Sequence, residues 1–379
     1  MKAVQEIRIG IIGTGIISRE HVANYAKIPN AKIVALCDLN EQSVAKASEE
    51  FGVADTYTDY HELLKRDDID AVDICLHAGL HARVSIDALR ARKHVYCEKP
   101  LAGTYRDGEA MLKAAKETGK KLHVQLRYLY RNDMRIAKQV VDSGILGDIY
   151  HLRTFELRRR GRPYIDMYGS PAFVRKKTAA GGAMMDLGIY NLSNMLYLMD
   201  CPEVQRISGQ VYQKLAMDEH RAETSGYDVE ETGVGLVHFA GGLTMDLFDS
   251  WAVHLDKPAA SCILGSQGGL RLSPMHPETR DHSSIEPMML FQDVAGIPAN
   301  TVLCEDTAAW NRETRDPEDW IHSSSQGHWI GALLGKTELI PTAKIALQTS
   351  LIQEGIYLSA AENREVTADE IKNRSALTI

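Results

Sequence analysis

The chain has 379 residues, and its 43 Lys and Arg residues against 51 Asp and Glu residues give a formal net charge of −8. With 44% hydrophobic and 25% charged residues it has the composition of a globular protein, which excludes a disordered or fibrous chain. The acidic balance argues against nucleic acids and anionic membranes as partners, because their phosphates would repel the protein.

Short apolar runs alternate with helical spacing over the first third of the chain. The predicted strands are 7–12, 32–38, 70–76, 93–97 and 121–126. The predicted helices between them are 18–28, 41–51, 81–91 and 106–118. This alternation is typical of βαβ units and of a parallel sheet that helices cover on both faces. We therefore predict an α/β domain over residues 1–126, with a doubly wound parallel sheet.

A different pattern follows residue 127. Long strand-like runs joined by glycine-containing turns favour a large, mostly antiparallel sheet. The predicted strands are 148–158, 204–216, 229–240, 243–253, 259–264, 269–272 and the less regular run 286–305. The predicted helices are 131–143, 182–199, 326–335 and 343–361. Residues 127–379 are thus predicted to form a second, α+β domain, and 274–325 is its least regular stretch.

A glycine-rich turn, Gly13-Thr14-Gly15-Ile16-Ile17-Ser18, follows the first predicted strand and opens the first helix. Gly13 permits a tight turn, and Gly15 lets the backbone approach a pyrophosphate. Gly15, Ile16 and Ile17 lie where a helix N-terminus offers its N–H groups to phosphate. The turn therefore predicts a dinucleotide site, and a glycine turn without a ligand is the alternative.

An acidic residue, Asp38, ends the second predicted strand, where a carboxylate accepts hydrogen bonds from the hydroxyls of an adenosine ribose. Leu39 and Asn40 follow it, so no cation is close by in sequence to receive a 2′-phosphate. The pattern therefore predicts NAD in preference to NADP. A helix cap is the alternative role for Asp38.

The fifth predicted strand ends in Glu98-Lys99-Pro100, at the edge where doubly wound sheets bind their ligands. We expect Lys99 to lie beside a nicotinamide ring; a surface lysine at a strand end is the alternative. This tripeptide, the glycine turn and the segment from Gly181-Gly182 to Asp186-Leu187-Gly188-Ile189-Tyr190 resemble the Gfo/Idh/MocA oxidoreductases. The resemblance extends over nearly the whole chain.

The family resemblance implies a Rossmann domain and a C-terminal domain whose open sheet forms a homodimer or homotetramer. It also implies that Lys99 and Asp186 act on the substrate, with Tyr190 in the place of a histidine. By the same resemblance, Glu98 and the loop that contains His77 and His81 lie at the nicotinamide side of the cofactor. For His77, a plain loop position is the alternative.

The chemistry of these residues agrees with that role. Asp186 and Tyr190 are four residues apart on a predicted helix and share a face. A tyrosine has an ordinary pKa of about 10, which a nearby ammonium such as that of Lys99 lowers. We therefore expect Lys99 and Tyr190 to bind the reacting hydroxyl, with Tyr190 as the base and Asp186 as an orienting group. A helix cap and an interface tyrosine are the alternative roles.

Weaker signals suggest substrate contacts. Arg158 and Arg160 belong to a basic cluster at a strand end, Trp251 can stack on a pyranose, and Gln125 and Arg127 follow the sixth strand. The alternatives are a solvated strand end, an oligomer contact, or sheet packing for Trp251.

Two further features concern metals and location. The six cysteines form no CxxC pair and the histidines lack a ligand spacing, so free thiols and no catalytic metal are predicted. His322, His328 and Trp329 are interpreted as surface residues. No apolar run is long enough to span a membrane and the start has no signal-peptide pattern, so we expect a cytoplasmic protein.

Three functions remain open from the sequence. The first is an NAD-dependent dehydrogenase acting on a secondary hydroxyl, or the matching ketone, of a sugar, glycoside or cyclitol, with C3 of a glucoside as one case. The second is a family enzyme with a tightly bound NAD that is recycled internally, either a sugar–sugar oxidoreductase or a redox-assisted glycosidase. The third is a non-catalytic NAD-binding regulator, against which Lys99 and Asp186 argue.

Overall fold

The computed structural model describes residues 6–255, 260–273, 287–304 and 318–379. These residues divide into two compact units. The first unit contains residues 6–127, 318–347 and 376–379, and the second contains the remainder. The sequence pattern predicts a single domain for residues 127–379. The structure corrects this, because the chain returns to the first unit near its end.

Apolar packing explains the return. Trp329 and Ile330 are fully buried in a cluster with Ile9, Tyr96 and other core residues of the first unit. His328 is buried as well, at 3% exposure. The interpretation of His328 and Trp329 as surface residues is therefore wrong, because both side chains are buried. His322, which shared that interpretation, is half-buried.

The first unit contains a six-stranded parallel sheet flanked by helices. Its strands are β1 (Ile7–Ile12), β2 (Ala31–Cys37), β3 (Thr56–Tyr57), β4 (Ala71–Ile74), β5 (His94–Cys97) and β6 (Leu122–Val124). The strand order is β3-β2-β1-β4-β5-β6, so the order reverses between β1 and β4. Its early helices are α1 (Ile16–Tyr25), α2 (Glu41–Phe51), α3 (Tyr60–Leu64), α4 (Ala78–Arg90) and α5 (Tyr105–Thr118). The doubly wound parallel sheet is confirmed.

Local sequence signals set the ends of two of these helices. Asn40 caps α2 by accepting hydrogen bonds from the backbone of Gln42 and Ser43, and Thr104 caps α5. Gly52 ends α2 and Gly119 ends α5, both in the left-handed conformation that glycine adopts at low cost.

The second unit contains a nine-stranded sheet of order β14-β13-β12-β11-β7-β10-β9-β8-β15. Its strands are β7 (Ile149–Leu157), β8 (Val204–Tyr212), β9 (Thr232–Phe239), β10 (Thr244–Ser250), β11 (Cys262–Gly265), β12 (Gly268–Arg271), β13 (Met289–Val294), β14 (Ile297–Val302) and β15 (Val366–Thr367). Only the β7–β10 pair among these described strands is parallel. The predicted antiparallel character is therefore confirmed.

Helices and short turns complete the chain. The remaining α-helices are α6 (Asn132–Asp142), α7 (Lys176–Ala179), α8 (Ala183–Asp186), α9 (Gly188–Leu198), α10 (Glu219–Ser225), α11 (Trp320–Ser323), α12 (Ser325–Leu333), α13 (Thr342–Glu362) and α14 (Ala368–Arg374). Short 3₁₀ turns lie at Arg127–Tyr130, Pro171–Val174 and Ala240–Gly242. None of the helices in the described ranges has the length and apolar character needed to cross a bilayer.

The run predicted over 286–305 forms a hairpin of β13 and β14. The two end residues of this run, and part of the stretch 274–325, lie outside the described residues. Ala295 and Gly296 connect these strands with φ values of 55° and 77°. Positive φ at both central residues matches the twist of a two-residue hairpin. The single strand-like run of the sequence is therefore two strands joined by this turn.

A buried charge network stabilises the second unit. Arg162 is 1% exposed, and its guanidinium contacts both carboxylate oxygens of Asp166 at 2.7 and 2.9 Å. Its third nitrogen donates to the buried Glu231 carboxylate at 3.0 Å. Each charge is thus paired inside the protein, which offsets the cost of burial only while all partners are present.

Replacing Arg162 by Met is expected to lower the free energy of unfolding by about 3–5 kcal/mol, because Glu231 would remain buried without a cation. Urea unfolding followed by circular dichroism measures this loss. The neighbouring Arg160 is exposed, and Arg160→Met should change stability by no more than about 0.5 kcal/mol. Equal losses in the two variants would contradict a structural role specific to Arg162.

Candidate active site

The loops that carry most of the predicted site residues begin where strands of the first sheet end. Backbone hydrogen bonds continue the sheet for one residue past the strands, from Gly13 N to Cys37 O at 2.8 Å and from Glu98 N to Ile74 O at 3.0 Å. Because the strands are parallel, these ends share one edge, which we call the carboxyl edge. Ligands of doubly wound sheets bind outside this edge.

The glycine turn has the backbone that its sequence predicts. Gly13 has a φ of 98°, and a Cβ there would collide with the carbonyl of Cys75 on the neighbouring strand end. Gly15 is exposed at the start of α1, with no heavy atom within 4 Å of the position of a Cβ. Ile16 is 66% exposed beside it. The helix N-terminus therefore faces open space.

The Asp38 side chain is hydrogen-bonded to this turn. Its Oδ2 accepts hydrogen bonds from the backbone N–H of Thr14 at 2.8 Å and from the Thr14 hydroxyl at 3.0 Å. Its Oδ1 accepts from the backbone of Asn40 at 2.9 Å. The carboxylate is thus held next to the glycine turn, where an acid can receive ribose hydroxyls.

These features fit a dinucleotide. The open helix N-terminus offers backbone N–H groups to a pyrophosphate, and the half-buried Asp38 carboxylate offers acceptors to a ribose. The Cβ-free backbone at Gly15 allows a phosphate to approach closely. Gly13, Gly15, Ile16, Ile17 and Asp38 are therefore the residues that would hold the adenosine and phosphate parts of such a dinucleotide.

The Glu98 side chain differs from its expected place at the cofactor. Glu98 is 7% exposed, and its Oε1 contacts the Nε2 of the buried His21 at 2.9 Å. Its Oε2 accepts the backbone N–H of Lys99 at 2.9 Å. Both oxygens are used within the protein, so Glu98 supports the turn that carries the half-buried Lys99 rather than contacting a ligand.

His81 has a similar supporting role. It is fully buried, its Nδ1 lies 2.7 Å from the carbonyl oxygen of Pro100, and its Nε2 lies 2.9 Å from that of Leu76. Burial lowers the pKa of His81, although the two carbonyl contacts oppose this shift. The predicted cofactor contact of His81 is therefore corrected: the ring links two loops of the carboxyl edge. His77, by contrast, is exposed at the start of α4.

Gln125 and Arg127 were predicted to reach the substrate. Gln125 is 3% exposed, and its Oε1 accepts a hydrogen bond from the hydroxyl of the buried Tyr96. Arg127 lies at the surface and forms an ion pair with Glu20 at 3.0 Å. The buried position of Gln125 contradicts a substrate contact, since its side chain is part of the core network of the first unit.

The Gly181-Gly182 segment in the second unit is hydrogen-bonded to the buried carboxylate of Glu230. Glu230 accepts hydrogen bonds from the backbone of Gly182 and Met184 and from the Tyr357 hydroxyl, each at 2.9 Å. A Cβ at Gly182 would collide with the Glu230 backbone, and one at Gly181 with the Tyr357 hydroxyl. The two glycines thus allow close packing inside the protein at the start of α8.

Asp186 and Trp251 contact each other. The Nε1–H of Trp251 donates to Asp186 Oδ2 at 3.0 Å, and Trp251 is fully buried among apolar side chains of the second unit. The predicted stacking of Trp251 on a sugar ring is therefore wrong. Its indole instead orients the half-buried Asp186 carboxylate.

The predicted helix over 182–199 consists of α8 and α9, which meet at Leu187. Asp186 ends α8, and Tyr190 lies in the first turn of α9, where its backbone N–H bonds to Leu187 O at 3.0 Å. The half-buried Tyr190 ring packs against Tyr128, with centroids 4.5 Å apart. Nothing in the sequence pattern indicates Tyr128 as a neighbour of Tyr190.

The basic cluster after β7 separates into different environments. Arg162 is buried with Asp166, as described above, whereas Arg159 and Arg160 are exposed. Arg158 is half-buried, and its Nη1 lies 3.4 Å from Gly161 O. A substrate contact thus remains a prediction for Arg158 and Arg160.

A buried carboxyl group, that of Asp249, contacts α9. Asp249 on β10 is fully buried and accepts a hydrogen bond from the side-chain amide of Asn191 at 2.5 Å. Its Oδ2 has no hydrogen-bond partner among the described residues. Burial raises the pKa of Asp249 to about 7, although the Asn191 contact opposes this shift. The group therefore changes charge near neutral pH.

Comparisons with known proteins agree with this fold. The Gfo/Idh/MocA model described as an oxidoreductase family with an NAD-binding Rossmann fold matches residues 7–126, and the Gfo/Idh/MocA C-terminal domain model matches 134–271. The chain is 27% identical over 291 residues to the D-glucoside 3-dehydrogenase of Escherichia coli (strain K12), covering 75% of this chain and 82% of that protein. It is 28% identical over 236 residues to the myo-inositol 2-dehydrogenase of Thermotoga maritima, covering 62% and 66%.

A solved structure shows the same fold. The WlbA dehydrogenase from Bordetella pertussis, in complex with NADH and UDP-GlcNAcA, superimposes with a TM-score of 0.76 at 21% identity. The superposition covers 96% of this chain and 98% of that one. The likeness therefore extends over both units.

Asp249→Asn tests the buried carboxyl. Between its ordinary pKa near 3.8 and its folded value of about 7, the folded protein binds a proton that the unfolded chain releases. Stability should therefore fall as pH rises through this window, by at most about 1.4 kcal/mol per pH unit. Asparagine does not titrate, so the Asp249→Asn variant lacks this pH-dependent loss of stability. The variant should therefore become more stable relative to wild type as the pH rises from 5 to 7. A difference that is constant over this range, measured by urea unfolding, would contradict the assignment.

Proposed function

Since the chain belongs to the Gfo/Idh/MocA oxidoreductase family, we propose that it is an NAD-dependent dehydrogenase for a secondary hydroxyl of a sugar, glycoside or cyclitol, or for the matching ketone. The observation that carries the proposal is the carboxyl edge of the first sheet. It holds both a glycine turn bonded to Asp38 and the turn that presents Lys99. A cofactor site and a cation for the reacting oxygen are thus combined in one unit.

The relatives support a polyol substrate. They are named for a D-glucoside and for myo-inositol, and the glucoside enzyme aligns with the larger share of this chain. We therefore favour oxidation at C3 of a glucoside within the wider substrate class. The exposed Arg160 and half-buried Arg158 are proposed to bind further hydroxyls, since guanidinium groups donate several hydrogen bonds in a fixed geometry.

The chain's own residues would carry the proton. Bound NAD would supply the hydride acceptor. Lys99 is proposed to donate a hydrogen bond to the reacting oxygen and to stabilise the negative charge that forms there. Tyr190 is proposed to take the hydroxyl proton. Asp186, oriented by Trp251, would accept a hydrogen bond from an adjacent substrate hydroxyl.

Three further assignments belong to this proposal. His77 and Lys99 are proposed to line the nicotinamide side. A homo-oligomer is proposed through the open face of the second sheet, where Phe155 and Phe248 stack with centroids 4.9 Å apart and Leu236 is 37% exposed. A cytoplasmic location is proposed because all six cysteines are free thiols.

A screen of sugars, glycosides and inositols with NAD tests the function through the absorbance of reduced nicotinamide. We expect turnover with at least one glucoside or cyclitol. Lys99→Ala should lower kcat by about 100-fold or more, because the transition-state charge loses its cation, while the Kd for NAD changes little. Tyr190→Phe should change the pH profile of kcat. Turnover within a few fold of wild type in Lys99→Ala would contradict the assignment.

The same screen separates the alternative functions. A recycled cofactor predicts that NAD copurifies with the protein and that external NAD is not consumed while product forms. A regulator predicts binding of NAD without hydride transfer to any compound of the panel. Each outcome replaces the dehydrogenase proposal with a distinct one.

Asp38 is expected to determine the cofactor preference. Wild type should use NAD with a higher kcat/KM than NADP, because the Asp38 carboxylate repels a 2′-phosphate. Asp38→Ser should reduce this preference by about 10-fold or more, since repulsion between like charges is removed. Glu41, an exposed carboxylate at the start of α2, provides the matched control Glu41→Gln. A wild-type preference for NADP would contradict the proposal.

A further inference from the structure

A charged group lies buried behind the turn that carries Lys99. His21 on α1 is 0% exposed, and each of its ring nitrogens contacts a different carboxylate. Nδ1 lies 2.8 Å from Asp73 Oδ2, and Nε2 lies 2.9 Å from Glu98 Oε1. Asp73 is itself fully buried on β4. The ring thus connects two strand ends of the first sheet through hydrogen bonds.

The partners determine the charge of this ring. An ionised carboxylate only accepts hydrogen bonds, and a neutral imidazole has one N–H to donate. Two ionised carboxylates at hydrogen-bond distance are therefore both satisfied only by the doubly protonated ring. Burial lowers the pKa of His21, but the interactions of the ring with Asp73 and Cys75 together outweigh it and hold that pKa well above the ordinary value.

The imidazolium in turn affects Glu98. Burial would raise the pKa of Glu98, yet the His21 hydrogen bond and the charges of His21 and Lys99 hold it below its ordinary value. The ionised Glu98 uses its second oxygen to accept the Lys99 backbone N–H at 2.9 Å. A continuous chain of contacts therefore runs from Asp73 through His21 and Glu98 to the backbone of Lys99.

We propose that His21 is a positioning residue, an imidazolium that keeps Glu98 ionised and so fixes the turn that presents Lys99. This inference rests on the proposed function, in which Lys99 contacts the reacting oxygen. His21 touches neither substrate nor cofactor in this assignment and acts through Glu98. Its loss should affect kcat more than cofactor binding, because the glycine turn and Asp38 lie on other strand ends.

Other groups also face the His21 ring. Cys75 Sγ lies 3.4 Å from Nδ1, and Tyr96 packs edge-on with its centroid 5.6 Å away. Tyr25 belongs to the same buried side of α1. Gln125 Nε2 lies 3.5 Å from His21 Nε2, a contact too long to compete with that to Glu98. The two carboxylates therefore dominate the surroundings of the ring.

A metal ion is the competing explanation for this cluster. Ligand atoms of His21, Asp73 and Cys75 all lie within 4.8 Å of one another. Burial raises the pKa of Cys75 to about 12, which opposes the thiolate that a metal would require. The 2.8 Å contact between His21 and Asp73 is a hydrogen-bond distance, which fits a proton shared between the two groups.

Nitrogen-15 NMR of the full-length protein with labelled histidine tests the charge directly. His21→Gln identifies the signal if that variant folds, and Glu98→Gln, which should perturb it, identifies it otherwise. We expect both His21 ring nitrogens to carry protons at pH 8. A neutral ring at this pH, or stoichiometric metal in the purified protein, would overturn the proposal whether or not a substrate is known.

Kinetics of a double-mutant cycle test the positioning role. In His21→Gln, Glu98 loses its cation and should take up a proton at higher pH, so the low-pH side of the kcat profile should move to higher pH. We expect kcat to fall by about 100-fold, as for a misplaced catalytic group, with the Kd for NAD within about threefold of wild type. In His21→Gln/Glu98→Gln the shift of the profile should disappear, because the titrating carboxyl is gone.

His123 provides a matched control. It is also fully buried in the first unit, but its ring contacts the hydroxyls of Ser325 and Thr342, each at 3.0 Å. His123→Gln should destabilise the protein without moving the pH profile. An equal shift in both single variants, or an unchanged profile in a folded His21→Gln, would overturn the positioning role. Wild type that oxidises no compound would instead contradict the proposed function and leave the NMR result to decide the charge.

Discussion

Parallel pairing of six strands is the constraint from which the rest of the first unit follows. It brings the ends of β1, β2, β4, β5 and β6 to one edge, so residues far apart in sequence become neighbours. The glycine turn then lies beside Asp38, and the Glu98–Lys99 turn follows two strands away. Backbone hydrogen bonds to neighbouring strands continue into these loops, so the first residues of each loop are fixed by the sheet.

Buried charges reinforce this arrangement in both units. His21 pairs with two carboxylates in the first unit, and Arg162 pairs with two in the second. Glu230 is satisfied by backbone N–H groups and a hydroxyl. Asp249 differs, because one of its oxygens has no partner among the described residues and its pKa rises to about 7. These buried groups thus have hydrogen-bond partners within their own units, whereas burial of Asp249 is only partly compensated by Asn191.

Periodicity predicted most of the fold. Predicted strands and helices of both units lie within a few residues of the observed ones, since apolar spacing reports directly which face is buried. The short elements β3, α3, α7, α10 and β15 carry too few residues to show a period. The return of residues 318–347 to the first unit was also missed, because a buried Trp329 and an exposed one look alike in a single sequence.

The sequence by itself determined which candidate site residues occur and where they stand relative to the predicted strands. They are a glycine turn, an acid one strand later, a lysine at the fifth strand end, and an Asp and a Tyr four residues apart. Such features depend on local spacing and on strand direction, which a sequence contains. Only the tertiary structure decided that Trp251, His81 and Gln125 face the interior, and that His21 lies between Asp73 and Glu98. These roles depend on which side chains meet across 52 or 77 residues of chain, and distance along a sequence does not specify that contact.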